Sequence, residues 1–202
     1  EGDDMPFVGP VGYLDSYGIE LLGDVGLSSV FWSSNPRPVA WVDLYVKPVF
    51  GLYEDLPAFF TAGEASRTGF VRDGASGELY VLNGFGDGSG LWLSSGWSVP
   101  VDASGAASNW MRLTYRLDYA SGLWDVYANG ELQVIDVGML NLGLSTITRF
   151  NLVGTRDYAT YFDEFSLGYI NPLFTDYDSD GIDDSYEAME GLDSAVNDRA
   201  LD

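Results

Sequence analysis

The chain has 202 residues, with 31 acidic and 9 basic side chains and neither cysteine nor histidine. The missing thiols and imidazoles exclude disulfide scaffolds, Cys-ligated zinc and a histidine base, so any metal must be held by oxygen, which suits hard cations such as Ca²⁺. A net charge of −22 excludes nucleic acid as a partner, whereas the 46% hydrophobic content argues against disorder.

Targeting signals are sparse in this sequence. No stretch reaches the roughly 20 apolar residues that span a bilayer. The opening residues 1–4 are acidic and do not form a signal peptide, so we interpret the chain as a mature or trimmed form. Because an acidic surface is best tolerated where divalent cations are plentiful, we expect a secreted or cell-surface protein.

Residues 1–170 predict one all-β domain. An apolar segment, Met5–Tyr13, could pair with the sheet edge of a neighbouring copy. The run Val39–Val46 is aromatic and β-branched, as strands are. Further strands are predicted at 28–32, 57–62, 69–72, 78–83, 97–101, 147–153 and 159–168. About a dozen strands predict a two-sheet antiparallel sandwich of the jelly-roll type.

A glycine-rich segment, Gly84–Gly90, is a candidate ligand-binding loop. Its Asp87 could bind a sugar or a cation, and the flanking Trp92 and Trp97 could stack on sugar rings. The alternative is a hairpin loop with two core tryptophans.

Residues 110–137 predict a three-stranded meander. Apolar Met111 and Leu113 alternate with polar neighbours, which is the period of a half-buried strand. A turn at 120–122 and the dipeptide Asn129-Gly130 then separate three β-rich runs, and Asn-Gly is a strong hairpin signal.

The strand 159–168 carries adjacent carboxylates, Asp163 and Glu164. Glycosidases need two carboxylates flanking one bond, whereas adjacent strand residues point to opposite faces. We therefore predict no catalytic residues and no enzyme. Asp163 is expected to share a face with Tyr161, Phe165 and Leu167, as a buried structural carboxylate paired with an arginine such as Arg149.

The composition changes after Asn171-Pro172, where a second module, residues 171–202, begins. Its first part matches a twelve-residue calcium loop that starts at Asp176 and has Gly181 at the sharp turn. Position 7 offers its carbonyl oxygen, position 9 binds directly or through water, and position 12 binds with both oxygens. The predicted Ca²⁺ ligands are Asp176, Asp178, Asp180, Ile182, Asp184 and Glu187.

A short helix should follow this loop, over Asp184–Glu190, and end at Gly191. Glu187 lies in it, so we expect Ca²⁺ to order the helix. The alternative is a solvated acidic tail without metal. That alternative is less favourable because five carboxylates within twelve residues repel one another when no cation is bound.

The loop resembles the thrombospondin type 3-like calcium repeats of bacterial extracellular proteins. The resemblance is carried by Tyr186-Glu187, Gly191-Leu192-Asp193 and Asn197-Asp198, which match the spacing after the first loop of such arrays.

The meander resembles the central hairpin of laminin-G-like, concanavalin A-like domains. The matching segments are Trp110–Tyr115, Tyr119–Gly122 and Trp124–Leu132, and Phe162–Phe165 resembles the last strand. The resemblance implies a jelly-roll sandwich and, in many members, carbohydrate or protein binding at the rim loops.

Two functions are consistent with these features. The first is a non-catalytic, calcium-binding extracellular module that acts in adhesion and binds glycans or surface proteins. The second is a structural subunit that associates with copies of itself in a calcium-stabilised filament or surface layer.

Overall fold

The computed structural model describes residues 6–22, 26–31, 33–60, 63–153 and 159–197, without the side chains of Ser185, Tyr186 and Met189. The chain divides into two compact units, Glu1–Ile170 and Asn171–Asp202.

The first unit is an antiparallel sandwich, which confirms the predicted fold class. Its strands are β1 (Phe7–Gly9), β2 (Gly18–Leu21), β3 (Gly26–Val30), β4 (Val39–Lys47), β5 (Thr68–Asp73), β6 (Ser76–Gly84), β7 (Gly90–Pro100), β8 (Met111–Asp118), β9 (Leu123–Ala128), β10 (Glu131–Gly138), β11 (Arg149–Val153) and β12 (Thr160–Gly168). Seven of them form one sheet in the order β1-β2-β12-β4-β8-β9-β10, and β5-β6-β7 form a second. Strands β3 and β11 form a separate ribbon.

The core lies between the inner faces of the two larger sheets. Alternate residues of β4 and β8 face it, among them Val42 and Leu113, while Leu79 and Val81 of β6 contribute from the other sheet. Trp124 is fully buried in this cluster. Burial of apolar surface on one face of each sheet is what holds a sandwich together.

The predicted meander is present as β8, β9 and β10, joined in antiparallel register. Its second turn has Asn129 at φ 52° and Gly130 at φ 86°. Two consecutive positive φ angles define the type I′ turn that Asn-Gly favours.

Some strand predictions differ from the structure. The prediction of a strand at 57–62 is wrong for 57–60, while 61 and 62 lie outside the described residues. Strand β7 begins at Gly90 rather than 97, because a bulge between its pairings with Glu78 and Tyr80 lets a Ser/Gly-rich segment continue the ladder.

The N-terminal segment that was predicted to pair with the sheet edge of a neighbouring copy contains β1, which pairs within its own chain. Strand β1 lies antiparallel to β2, at the edge of the seven-stranded sheet. Both strands are short; β1 lies within the apolar segment that was predicted to pair with a sheet edge, whereas β2 was not predicted from the sequence.

Strand β12 contains a bulge that overturns one prediction. Asp163 pairs with Tyr45, but the next pairs are Ser166 with Asp43 and Leu167 with Val42. The additional residue, at Glu164 with φ 49°, reverses the alternation, so Leu167 faces the core with Val42 and Asp163 faces outward. Nor does Asp163 pair with Arg149, since it accepts hydrogen bonds from the N-terminal segment.

In the second unit, Asp184–Glu190 form helix α1, as predicted. Gly191 follows it at φ 78°, and the Leu192 amide donates to the Glu187 carbonyl at 2.8 Å. This is a glycine-terminated helix end of the Schellman type. Within the described ranges no helix is both long and apolar enough to cross a membrane.

Candidate functional site

The acidic loop of the second unit is closed by hydrogen bonds between its two ends. The Asp184 amide donates to the Thr175 carbonyl at 2.8 Å, and the Tyr177 amide donates to Asp184 Oδ1 at 2.9 Å. Asp183 Oδ2 accepts from the Thr175 amide at 3.1 Å. These bonds hold residues 176–183 in a single turn around a common centre.

Inside the loop, carboxylates accept hydrogen bonds from backbone amides. Asp176 Oδ1 accepts from the Asp180 amide at 3.1 Å and Oδ2 from the Gly181 amide at 2.9 Å. Asp180 Oδ1 accepts from the Ile182 amide at 2.8 Å. Gly181 has φ 94°, a conformation that a side chain would strain, which explains glycine at this position.

The loop gathers three of the predicted ligands. Asp176, Asp178 and Asp180 each offer a carboxylate oxygen, and these oxygens lie within 4.8 Å of one another. Asp180 is only 2% exposed, and its Oδ2 accepts no hydrogen bond from the described residues. Glu187, at position 12, is fully buried. A buried carboxylate oxygen without a donor is costly unless a cation compensates it.

These residues fit a hard divalent cation. Their donor set is all oxygen, as Ca²⁺ prefers, and the spacing follows the twelve-residue calcium loop. Two further predicted ligands are placed less directly. Asp184 Oδ1 already accepts a hydrogen bond from the Tyr177 amide. The Ile182 amide donates a hydrogen bond to Asp180.

Asp87 lies in the loop between β6 and β7, as predicted. Its side chain is exposed, and its backbone pairs with that of Asn141 in a single antiparallel β-bridge. The Ser89 hydroxyl and amide donate to Asp87 Oδ1 at 2.5 and 2.9 Å, and these hydrogen bonds lower the pKa of the Asp87 carboxyl. The carboxylate therefore stabilises its own turn.

The structure does not bring Trp92 and Trp97 together around Asp87. Both lie within β7, on opposite faces, because Trp92 pairs with Leu82 whereas Trp97 packs against the core. The Trp92 Nε1 donates to the Pro57 carbonyl at 3.1 Å, which ties the segment before β5 to the sheet. Their role in ligand binding remains a prediction.

The sequence analysis missed a polar and aromatic surface on the outer face of the seven-stranded sheet. Asp43 of β4 is 8% exposed. Its carboxylate accepts hydrogen bonds from Nε and Nη2 of Arg112, at 3.0 and 2.9 Å. The Thr114 hydroxyl also donates to Asp43, at 2.6 Å. The outward positions of β4 and β8 alternate regularly, so the strand period could have indicated this grouping, but the pairing of the strands could not be inferred.

Four aromatic rings lie at one end of this face: Tyr13, Tyr45, Trp110 and Tyr161. Tyr13 stacks on Tyr45 with ring centroids 4.0 Å apart, and burial, followed by the hydrogen bond with Tyr13, raises the pKa of Tyr45. Trp110 lies 6.3 Å from Tyr13 and 6.5 Å from Tyr161. We call these four rings the aromatic cluster.

Comparison with known proteins identifies distant structural similarity. No family model matches the sequence, and no curated protein does. Among solved structures, the binding domain of botulinum neurotoxin serotype G is 10% identical with a TM-score of 0.41, covering 83% of this chain and 42% of that one. Sheep galectin-11 is 10% identical with a TM-score of 0.34, covering 72% and 98%.

A sialidase is 9% identical with a TM-score of 0.44, covering 86% of this chain. The chain thus spans 42% of the toxin domain and 18% of the sialidase. At these scores the similarity assigns the chain to none of these families.

Proposed function

We propose that this chain is a non-catalytic, extracellular binding module whose C-terminal unit binds Ca²⁺. The observation that carries the proposal is the grouping of three carboxylates with oxygens within 4.8 Å of one another. One of them, Asp180, is buried and has an oxygen to which none of the described residues donates a hydrogen bond. In this proposal Asp176, Asp178 and Asp180 hold the ion together with Glu187.

Electrostatics support the metal. Two like charges 4 Å apart near a protein surface repel by about 4 kcal/mol. The net charge of −22 adds a field that attracts cations and opposes the gathering of carboxylates. A divalent cation bound among the carboxylates offsets their mutual repulsion.

The sandwich is the part that we propose binds glycans or surface proteins in adhesion. Three of its carboxylates, two of them buried and that of Asp163 half-buried, accept structural hydrogen bonds. Asp43 is held by Arg112, Asp125 by Arg116 at 3.1 Å, and Asp163 by the Tyr13 amide at 2.7 Å. A general acid or base would have to give up such bonds to exchange a proton, which argues against catalysis.

Calorimetric titration of the whole chain with CaCl₂ tests the metal site. We expect saturable heat with wild type, and loss of this heat in Asp180→Ala and Glu187→Gln. The matched control is Glu131→Gln, which removes the same charge from an exposed position of β10 and should leave the binding unchanged.

Titration with MgCl₂ distinguishes a calcium loop from general attraction of cations. Mg²⁺ requires compact octahedral geometry and dehydrates reluctantly, so its binding should be much weaker. Equal heats for the two ions, or heat that survives in Asp180→Ala, would count against the proposal.

A further inference from the structure

The aromatic cluster has the form of a binding surface. Each of its rings is half-buried, so each is fixed by packing on one side while part of it stays in contact with solvent. Exposed aromatic surface that is already held in place costs little conformational entropy when a ligand binds.

The positions of these rings follow from strand register. Tyr45 of β4 lies between Arg112 of β8 and Asp163 of β12. One row further, Tyr161 lies between Lys47 and Glu20. Strand neighbours directly opposite each other have Cβ atoms about 5 Å apart, so rings and charged groups alternate across the face.

Tyr13 reaches the cluster from outside the strand ladder. Asp163 Oδ2 accepts hydrogen bonds from the Tyr13 amide, at 2.7 Å, and from the Ser16 hydroxyl. The two residues after Tyr13 have positive φ angles, 51° at Leu14 and 61° at Asp15. Such conformations are unfavourable for these residue types and persist only where the surroundings impose them.

The charge on this face differs from that of the chain as a whole. Three of the nine basic residues, Lys47, Arg112 and Arg116, project from it. Arg112 and Arg116 are paired with Asp43 and Asp125. At the cluster, Tyr45 and Tyr161 each have one basic and one acidic residue as strand neighbours, so a cationic ligand would meet Arg112 and Lys47 there, while the net charge of −22 disfavours an anionic ligand.

A neutral ligand must then match flat aromatic surface bordered by fixed hydrogen-bonding groups. Pyranose rings have an apolar C–H face and a rim of hydroxyls that donate and accept. Tyrosine hydroxyls and the indole N–H can serve that rim while the rings contact the C–H face.

We infer that the aromatic cluster, bordered by the Arg112–Asp43 pair, is a binding site for neutral polysaccharide chains. This inference rests on the proposed binding function and places the ligand on the sheet face rather than at the Asp87 loop. Two sugar rings could lie along the surface, one over the Tyr13–Tyr45 stack and one over Trp110 and Tyr161.

Calorimetry with neutral hexasaccharides of glucose, xylose, mannose and N-acetylglucosamine tests the inference. We expect at least one to bind. Tyr13→Ala and Trp110→Ala should each weaken that binding about tenfold, the effect of losing one aromatic contact. Neither Tyr13 nor Trp110 belongs to the core cluster, so both variants should fold, and circular dichroism of each variant checks this.

Asp87→Ala and Trp92→Phe serve as controls, because they alter the predicted loop and the opposite sheet and should leave sugar binding unchanged. Loss of binding in these controls with retention in Tyr13→Ala would move the site to the loop and overturn the inference. Binding of tetramethylammonium instead of any sugar would also overturn it, by identifying a cation site.

Calcium heats from the same samples separate the two proposals. Calcium binding without any hexasaccharide binding would overturn the sugar site alone. Sugar binding that is lost in Tyr13→Ala, in a chain that takes up no Ca²⁺, would support the sugar site while contradicting the metal proposal.

Discussion

In the described part of unit Glu1–Ile170 the buried side chains are mainly leucine, valine and alanine, whereas in the described part of unit Asn171–Asp202 the buried side chains are Asp180 and Glu187. The first unit excludes water from apolar surface. In the described part of the second unit, carboxylates take the buried positions that apolar side chains occupy in the first.

This difference implies two sources of stability within one chain. Apolar burial acts without any ligand, so the sandwich should fold in the absence of metal. Buried carboxylates oppose folding until a cation compensates them, so the second unit should depend on Ca²⁺. Each of the following experiments should affect one unit and spare the other.

Trp124→Ala should produce the largest effect. Trp124 is fully buried and its Nε1 donates to the Gly138 carbonyl at 3.2 Å, so truncation should lower the free energy of unfolding of the sandwich by about 3–5 kcal/mol. Urea denaturation followed by circular dichroism measures this. Phe59→Ala, at a side chain that is 92% exposed, should cost under about 0.5 kcal/mol.

Calcium should stabilise the second unit alone. At free Ca²⁺ of 1,000 times the dissociation constant, we expect about 4.1 kcal/mol for whichever unit binds it. Hydrogen exchange should show slower amides over residues 175–192 in Ca²⁺ than in chelator. Equal protection of β4 and β8 would show that the two units are not independent in this respect.

Alkali should destabilise the sandwich and spare the metal site. Burial raises the pKa of Tyr115 to about 12, and its hydroxyl lies 3.1 Å from the Thr68 hydroxyl. The pKa of Tyr115 is higher in the folded chain than in the unfolded chain. Its protonated form therefore contributes its full stabilisation of the sandwich below pH 10, and the free energy of unfolding falls by about 2.7 kcal/mol as the pH rises through 12.

Chemical denaturation between pH 9 and 12 measures this loss. Tyr115→Phe should show a shallower decline than wild type, and an unchanged slope would contradict the assignment to Tyr115. Carboxylates are already ionised in this range, so calcium heats measured on the folded chain should not follow the decline.

Ser16→Ala should have the smallest effect. It removes one donor to Asp163, worth about 1 kcal/mol, and should speed hydrogen exchange over residues 11–21 without moving the main unfolding transition. Ser121→Ala is the matched control, because its hydroxyl makes a 3.3 Å bond in an exposed turn. Equal exchange in both variants would show that the hydrogen bond from Ser16 to Asp163 does not hold the segment.

Features encoded by neighbouring residues were predictable from the sequence. The Asn129-Gly130 turn follows from the backbone freedom of two adjacent residues. The gathering of Asp176, Asp178 and Asp180 is likewise local, since all three lie in one short segment, while the binding of Ca²⁺ there stays a prediction. The aromatic and β-branched content of β4 and the alternation in β8 indicated strands, and the alternation indicated one buried face.

Only the tertiary structure decided what meets across the sheets. The bulge at Glu164 turned Leu167 inward and left Asp163 facing outward, a change that no local pattern announces. The stacking of Tyr13 on Tyr45, and the hydrogen bond from Trp92 to Pro57, join residues far apart in the chain. Such contacts depend on strand pairing and register, which are fixed by the whole set of buried residues rather than by any one segment.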